Sequence, residues 1–265
     1  MIMVKNIILF PHKFGQLRDG INKTPDILRH FLRYKNKNIT KIRSQNCLFN
    51  NLTNLYDANM CYTNPILNIG GDHSMSIATV AASLNKYKNL KVVWIDAHPD
   101  LNSYSASHSK NYHGMPVSFL TGIDKNKDFG FINNKLDFKN LLYIGIREID
   151  NFEREVIDRY QIKYIKVNDI NKDIFKCKSY INNFIKNDPV HLSFDVDCMD
   201  ISEIYSTGTP VKNGIKMSEA EILLKSLNTK NIVNIDFTEL NLEIGNDNQK
   251  FYSLANTLKL IDTFL

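Results

Sequence analysis

The stretch WIDAHPD, residues 94–100, decides how the rest of the chain is interpreted. The apolar run at residues 92–95 is typical of a buried strand. It ends in three potential metal ligands spaced two residues apart, and positions i, i+2 and i+4 of an extended chain point to one face. Asp96, His98 and Asp100 can therefore converge where the strand ends. Taken alone, the stretch is equally compatible with an acidic loop that contains one histidine.

The composition is ordinary for a globular protein, with 265 residues of which 43% are hydrophobic and 23% charged. No repeat, low-complexity tract or linker divides the chain, so we expect a single domain over residues 1–265. The formal charge of +5 is modest, and Lys and Arg form no basic stripe, which makes nucleic acid an unexpected partner. The four cysteines are far apart, which argues against a disulfide framework and against a zinc knuckle.

No run approaches the roughly 18 apolar residues of a membrane span. Residues 7–10 are too short a run for the core of a signal peptide. We therefore expect no membrane partner and a cytoplasmic enzyme.

Apolar runs alternate with helix signals along the whole chain, which predicts a parallel sheet with helices on both faces. The fold class is therefore α/β: a three-layer αβα sandwich with a mainly parallel, about eight-stranded sheet. Strands are predicted at residues 6–10, 39–42, 65–69, 91–96, 141–146, 164–167, 190–194 and 232–237. Helices are predicted from Thr24, as N-cap, and over residues 75–87, 152–160, 174–185, 219–227 and 251–264, with a short one after Pro116. Residues 46–63 are expected to be irregular, with one short helix at most.

Two further strands end in metal-competent residues. His73 follows the strand at residues 65–69 after a glycine pair, which permits a tight turn. Asp195 and Asp197 follow the strand at residues 190–194 as another i, i+2 pair. The carboxyl edge of an open α/β sheet is where such folds bind their ligands, although a lone His73 is more typical of a helix start.

Together these strand ends supply four carboxylates and two imidazoles. Oxygen-rich sites with some imidazole suit Mn²⁺ better than Zn²⁺. Six protein ligands are too many for one catalytic ion with open positions, and they suit two ions about 3.5–4 Å apart that share carboxylates.

At this point the chain resembles the ureohydrolase family, its arginase branch in particular. The resemblance covers the sequence from the loop at residues 15–20 to at least Glu239. It is carried by Gly-Gly-Asp-His-Ser at 70–74, Asp-Ala-His-x-Asp at 96–100, His-Gly-x-Pro-Val-Ser-Phe at 113–119 and Ser-Phe-Asp-Val-Asp at 193–197.

The resemblance implies an enzyme with two Mn²⁺ per chain that converts L-arginine to L-ornithine and urea, by attack of a metal-bridging hydroxide on the guanidinium carbon. It implies a first ion held by His73, Asp96, Asp100 and Asp195, and a second held by His98, Asp96, Asp195 and Asp197. Glu239 would pair with the guanidinium. His113 would be a proton shuttle, for which a neutral imidazole near pH 7 is suitable, and Asp100 would pass a proton to the leaving amine.

Substrate choice depends, by the same resemblance, on residues beyond the metal ligands. Asn102 and Ser109 would contact the α-carboxylate, and Asp150 and Glu153 the α-amino group. Thr209, in the Thr-Gly-Thr-Pro segment, is also a candidate substrate-binding residue. Together they favour arginine over decarboxylated or N-substituted guanidines.

Some positions depart from the family pattern. Pro99 stiffens the chain between two ligands, and Cys198 and Ile201 stand where Gly and Pro are usual. Ser218 replaces an arginine that some members use at a subunit contact, and an extended carboxyl-terminal tail is missing. We therefore expect weaker assembly than in long-tailed members, with a homo-oligomer left open.

Three alternatives remain at this stage. The first is another ureohydrolase, such as an agmatinase or a formimidoylglutamase. The second is a metal-dependent deacetylase, which shares a related fold but typically uses one zinc ion and lacks the paired motifs seen here. The third is a catalytically silent scaffold, against which six intact candidate ligands argue.

Overall fold

The computed structural model describes residues 4–32, 37–63, 65–227 and 231–265, and its central element is one sheet. The strands are β1 (Asn6–Phe10), β2 (Asn38–Lys41), β3 (Ile66–Gly70), β4 (Lys91–Ile95), β5 (Leu141–Ile144), β6 (Lys163–Ile165), β7 (Val190–Asp195) and β8 (Ile232–Thr238). They lie in the order β2-β1-β3-β8-β7-β4-β5-β6. Every pairing between neighbouring strands is parallel, as the alternation of strands and helices predicted.

Helices pack on both faces of this sheet. They are α1 (Thr24–Phe31), α2 (Leu48–Cys61), α3 (Ser76–Lys86), α4 (Pro116–Thr121), α5 (Asn151–Tyr160), α6 (Val167–Lys172), α7 (Ile174–Ile185), α8 (Met217–Leu227) and α9 (Asp247–Ile261). None of the helices within the described ranges is long and apolar enough to cross a membrane.

The two faces of the sheet contribute to two separate cores, because side chains alternate along a strand. In β1, Ile7 and Leu9 belong to the core that also contains side chains of α1, α7, α8 and α9, whereas Ile8 and Phe10 belong to the core that contains side chains of α2, α3 and α4. The central strands are apolar on both faces, as expected for a parallel sheet covered on both sides. The predicted three-layer αβα fold is confirmed.

Three local features differ from the sequence prediction. Residues 48–61, expected to be mostly irregular, form the continuous helix α2. The strand expected at residues 164–167 ends at Ile165, and α6 follows it. Thr24 is the first residue of α1 and not its N-cap, because its hydroxyl donates to the carbonyl of Leu240.

The topology places four strand ends together at the middle of the carboxyl edge. The neighbours there are β3, β8, β7 and β4. The strands β3 and β4 are consecutive in the sequence but lie on opposite sides of the pair β8 and β7. The chain therefore builds one half of the sheet first and then the other, and α/β sheets form a crevice for ligands where the two halves meet. Residues 71–73, 96–100, 196–197 and Glu239 follow these four strands, and Asp195 is the last residue of β7.

Candidate metal centre and active site

The first cluster surrounds one ring nitrogen of His73. Its Nδ1 lies 3.1 Å from Asp96 Oδ2, 2.9 Å from Asp100 Oδ2 and 3.2 Å from Asp195 Oδ2. The imidazole stacks on the indole of Trp94, with ring centroids 4.4 Å apart, and the Trp94 Nε1–H donates to Asp96 Oδ2 at 3.0 Å. The four residues predicted for the first metal ion are thus brought together in the core.

The second cluster shares Asp96 with the first. His98 Nδ1 lies 3.4 Å from Asp96 Oδ1 and 3.0 Å from Asp197 Oδ2. Asp96 therefore contributes one carboxylate oxygen to each cluster, as a bridging ligand would. The Oδ1 atom of Asp195 accepts a hydrogen bond from the backbone N–H of Asp197 at 2.8 Å, and its expected part in the second cluster stays a prediction.

The donor set fits divalent cations. His73 Nδ1 and Asp100 Oδ2 are buried, and neither has a hydrogen bond of proper geometry to any described residue. Burial and the neighbouring carboxylates Asp197 and Asp96 raise the pKa of Asp195 well above its ordinary value. Burial raises the pKa of Asp100 to about 7, with repulsion from Asp96 adding to the effect. Cations between these oxygens would relieve both the burial and the repulsion, and oxygen-rich ligands with imidazole suit manganese.

The backbone adopts constrained conformations at two positions beside the candidate ligands, Asp100 and Gly71. Asp100 has a φ of 49°, in the left-handed region, so that the chain turns sharply after Pro99, whose carbonyl accepts the hydroxyl of Tyr143 at 2.7 Å. A Cβ on Gly71 would lie 1.7 Å from the carbonyl oxygen of His12. Only glycine permits the end of β3 to approach the end of β1 this closely. His73 follows this glycine by two residues.

Glu239 links the first side-chain cluster to the loop that follows β1. It has a φ of 67° and is 3% exposed. Its Oε1 accepts the backbone N–H of His73 at 2.8 Å and lies 3.2 Å from His113 Nδ1, while its Oε2 accepts the side-chain N–H of Gln16 at 2.8 Å. Burial opposes ionisation, but the hydrogen bond and charge of His113 hold the pKa of Glu239 below its ordinary value.

Gln16 was missed by the sequence analysis. It lies in the loop at residues 15–20, where the sequence predicts no site residue. A glutamine separated from Glu239 by more than 200 positions carries no local pattern that indicates the contact.

His113 is charged more readily than the sequence analysis expected. Burial lowers the pKa of its imidazole, but the hydrogen bond and charge of Glu239, with Asp100 and Asp72, raise it to about 9. The imidazole is therefore protonated at pH 7 in the metal-free chain. Cations beside Asp100 would offset part of that carboxylate attraction and bring the pKa back toward neutral.

Both clusters open into one cavity of about 320 Å³. Asn102 Nδ2 donates to Asp150 Oδ2 at 2.7 Å, and Thr209 Oγ1 donates to Asp197 Oδ2 at 3.0 Å. Ser109 is exposed. The predicted residues that line the cavity are His73, His98, Asp100, Asn102, Ser109, His113, Asp150, Glu153, Asp195, Asp197, Thr209 and Glu239. Of the site residues predicted from sequence, only the buried Asp96 lies behind this lining.

Glu153 has a structural role in addition to its place in the cavity wall. Its Oε1 accepts the backbone N–H of Leu101 and its Oε2 that of Asp150, each at 3.0 Å. Burial raises the pKa of Glu153 to about 7, although these two backbone hydrogen bonds oppose the shift. The carboxyl group therefore joins the loop after β4 to the start of α5.

Comparison with known proteins agrees with this geometry. A model of the arginase family matches residues 34–260. The chain belongs to the arginase family.

Two curated relatives and one solved structure illustrate the similarity. An arginase of Neurospora crassa is 40% identical over 66% of this chain and 53% of its own length, so the chain spans about half of that relative. An arginase of Staphylococcus aureus strain COL is 30% identical over 98% of this chain and 96% of its own length. The crystal structure of Entamoeba histolytica arginase in complex with L-ornithine superposes with a TM-score of 0.90 at 27% identity, covering 99% of this chain and 98% of that one.

Proposed function

We propose that this protein is an arginase: a manganese-dependent hydrolase with two metal positions that converts L-arginine to L-ornithine and urea. The observation that carries the proposal is the convergence of two histidine–carboxylate clusters, joined by Asp96, on the cavity that Glu239 and His113 also line. Membership of the arginase family supports it.

Two Mn²⁺ ions, when bound, supply Lewis-acid activation of water next to the substrate carbon. The protein's own part begins with Glu239. Its carboxylate is held in place by three donors. Of its about four acceptor positions, one on Oε2 stays open, so this oxygen can accept a charge-assisted hydrogen bond from the guanidinium. Little orientational freedom is then lost when the substrate binds.

Proton transfer is assigned to Asp100 and His113. When water adds to the guanidinium carbon and the C–N bond to ornithine breaks, the leaving amine nitrogen gains a proton. Asp100 lines the cavity beside the first cluster, so its carboxylate is placed to accept a proton from the attacking water and to return it to the leaving amine. His113 is held at Nδ1 by Glu239, which leaves Nε2 to exchange protons with the solvent in the cavity.

Recognition of the α-substituents is assigned to the outer part of the cavity. Asn102 and Ser109 are neutral groups for the α-carboxylate, and Asp150 and Glu153 are acidic groups for the α-ammonium. The Asn102–Asp150 hydrogen bond places one member of each pair side by side, as the two substituents of one α-carbon require. The bound L-ornithine of the Entamoeba relative is the product expected here.

The test is the ratio of kcat/KM for L-arginine and for agmatine, which lacks the α-carboxylate, with urea release as the readout. The wild type should prefer arginine by orders of magnitude, because unpaired polar groups in a desolvated site are costly. The double variant Asn102→Ala and Ser109→Ala should lose most of this preference. Ser105→Ala, an exposed serine of the same loop outside the cavity lining, is the matched control and should retain it. Equal use of both substrates by the wild type would reject arginase in favour of another ureohydrolase.

A further inference from the structure

A chain of fully buried hydroxyl groups lies behind His73, on the side away from the carboxylates. His73 Nε2 is 2.8 Å from Ser193 Oγ, which is 3.2 Å from Ser76 Oγ, and Ser76 Oγ donates to Asp236 Oδ2 at 2.8 Å. Ser193, Ser76 and Asp236 are each 0% exposed. This series of contacts, which we call the serine relay, belongs to neither metal cluster and does not line the cavity.

The hydrogen count gives the relay a single direction. Each serine hydroxyl has one hydrogen to donate. The hydrogen of Ser76 is directed to the carboxylate of Asp236, so Ser76 Oγ must accept from Ser193. The hydrogen of Ser193 is then used, so Ser193 Oγ must accept from the Nε2–H of His73. A neutral imidazole protonated at Nε2 has its lone pair on Nδ1, the atom that faces the three carboxylates of the first cluster.

Asp236 is built to remain an anion at the far end of the relay. Its Oδ2 also accepts from Thr79 Oγ1 at 2.5 Å and lies 3.0 Å from His191 Nε2, and its Oδ1 accepts from Asn68 Nδ2 at 2.8 Å. Burial alone would raise the pKa of this carboxyl group, but His191 and the two hydroxyls hold it below its ordinary value. A buried carboxylate with four donors is adequately compensated.

We infer that Asp236 is a positioning residue that acts through Ser76 and Ser193 to fix the tautomer of His73, and so sets the affinity of the first metal position. The inference depends on the metal centre of the proposed function. Metal-binding histidines commonly donate their second N–H to an acceptor that orients the ring and raises ligand basicity. Here that acceptor is a carboxylate reached through two hydroxyls.

The relay does not reach the second metal position. His98 is part of the other cluster, its side chain is 25% exposed, and it takes part in none of the relay's contacts. Interruption of the relay should therefore weaken one metal position and leave the other as it is. A general loss of packing would not have this selectivity.

The experiment is a Mn²⁺ titration of the metal-stripped full-length chain, with binding measured by calorimetry and by the loss of the free-ion electron paramagnetic resonance signal. Ser193→Ala removes the group that accepts from His73, and Asp236→Asn removes the charge. Each should weaken one of two sites about 10- to 100-fold and change the other little. Ser118→Ala is the matched control, because this serine is fully buried and its hydroxyl has no partner among the described residues.

The outcomes separate the inference from the function on which it depends. A wild type that binds no Mn²⁺ rejects the metal centre, and the relay with it. A wild type with two sites, accompanied by relay variants with unchanged affinities or with both sites weakened equally, overturns the relay alone. Should Asp236→Asn fail to fold, Ser193→Ala and Ser76→Ala still decide the question, because each removes only one hydroxyl.

Discussion

At the scale of single residues, the site is governed by how each buried charge is compensated. His113 and Glu239 form an ion pair in which the two side chains are 22% and 4% exposed. Each stabilises the charged form of the other, against the cost of burial. Their protonation is therefore linked to folding.

This linkage predicts how stability depends on pH in the metal-free chain. The pKa of His113 is about 9 when folded, above its ordinary 6.5. Its stabilising contribution is fully present below pH 6.5 and is lost as the pH rises through 9. The unfolding free energy of the wild type and of His113→Gln is measured by urea titration. The amount by which the wild-type value exceeds the variant's should decrease between pH 6 and pH 10. An excess that grows with pH would contradict the assignment.

The residues that could be predicted from the sequence are those whose chemistry repeats locally. Asp96, His98 and Asp100 follow one strand at alternating positions and do converge. They converge through a bend at residues 96–98 and the left-handed φ of Asp100, and not through the extended chain that the spacing argument assumed. Gln16 and Ser193 could not be assigned a part in the site. Gln16 reaches Glu239 across 223 positions and Ser193 reaches His73 across 120, and the pairing of such groups is decided by the strand order.

At the scale of elements, α2 shows where local propensity is overruled. It contains several asparagines and one threonine, which are poor helix formers, and it lies in the segment for which the sequence predicts an irregular structure with one short helix at most. Leu48, Leu52 and Leu55 nevertheless share one buried face, and burial of about 0.8 kcal/mol per CH₂ outweighs propensity differences of a few tenths.

A second feature at this scale is the clamp that Arg147 forms after β5. Its guanidinium donates to backbone carbonyls of the loop that follows β7 and of the loop at residues 209–214. The acceptors within 3.2 Å are Gly145, Asp197, Cys198, Val211 and Lys212. The clamp thereby fixes the backbone of the candidate ligand Asp197 and the loop that carries Thr209.

The clamp predicts that Arg147→Lys is not a conservative change. An ammonium has three donors and no planar fork, so several buried carbonyls would lose their partner. We expect the unfolding free energy to fall by about 2 kcal/mol or more, measured by urea denaturation. Arg29→Lys, at an exposed arginine of α1, should change it by less than about 0.5 kcal/mol, and similar values for both variants would show that the clamp contributes little.

At the scale of the whole molecule, the candidate site lies where the four central strands meet. The candidate ligands come from the ends of β3, β4 and β7, which are far apart in the sequence. No single segment can form the site in the unfolded chain, so a metal ion should bind the native state in preference. The single-domain organisation and the cytoplasmic location stay predictions from the sequence.

Preferential binding predicts a thermal shift. At a Mn²⁺ concentration of 100 times Kd, one site should add about 2.7 kcal/mol to the unfolding free energy, which for a chain of this size raises Tm by roughly 5–10 °C. A chelator should reverse the shift. Asp96→Ala, which removes the residue shared by both clusters, should show almost no shift, and an equal rise in this variant would place the bound ion elsewhere.

The stacking of Trp94 on His73 has a consequence for spectroscopy. Trp94 is the only tryptophan of the chain, and its indole touches two candidate ligands, one through its face and the other through its N–H. All indole emission therefore originates beside the first metal position. Because Mn²⁺ is paramagnetic, its arrival within a few ångströms of this ring should quench the emission, so the unlabelled protein contains its own optical reporter of metal loading.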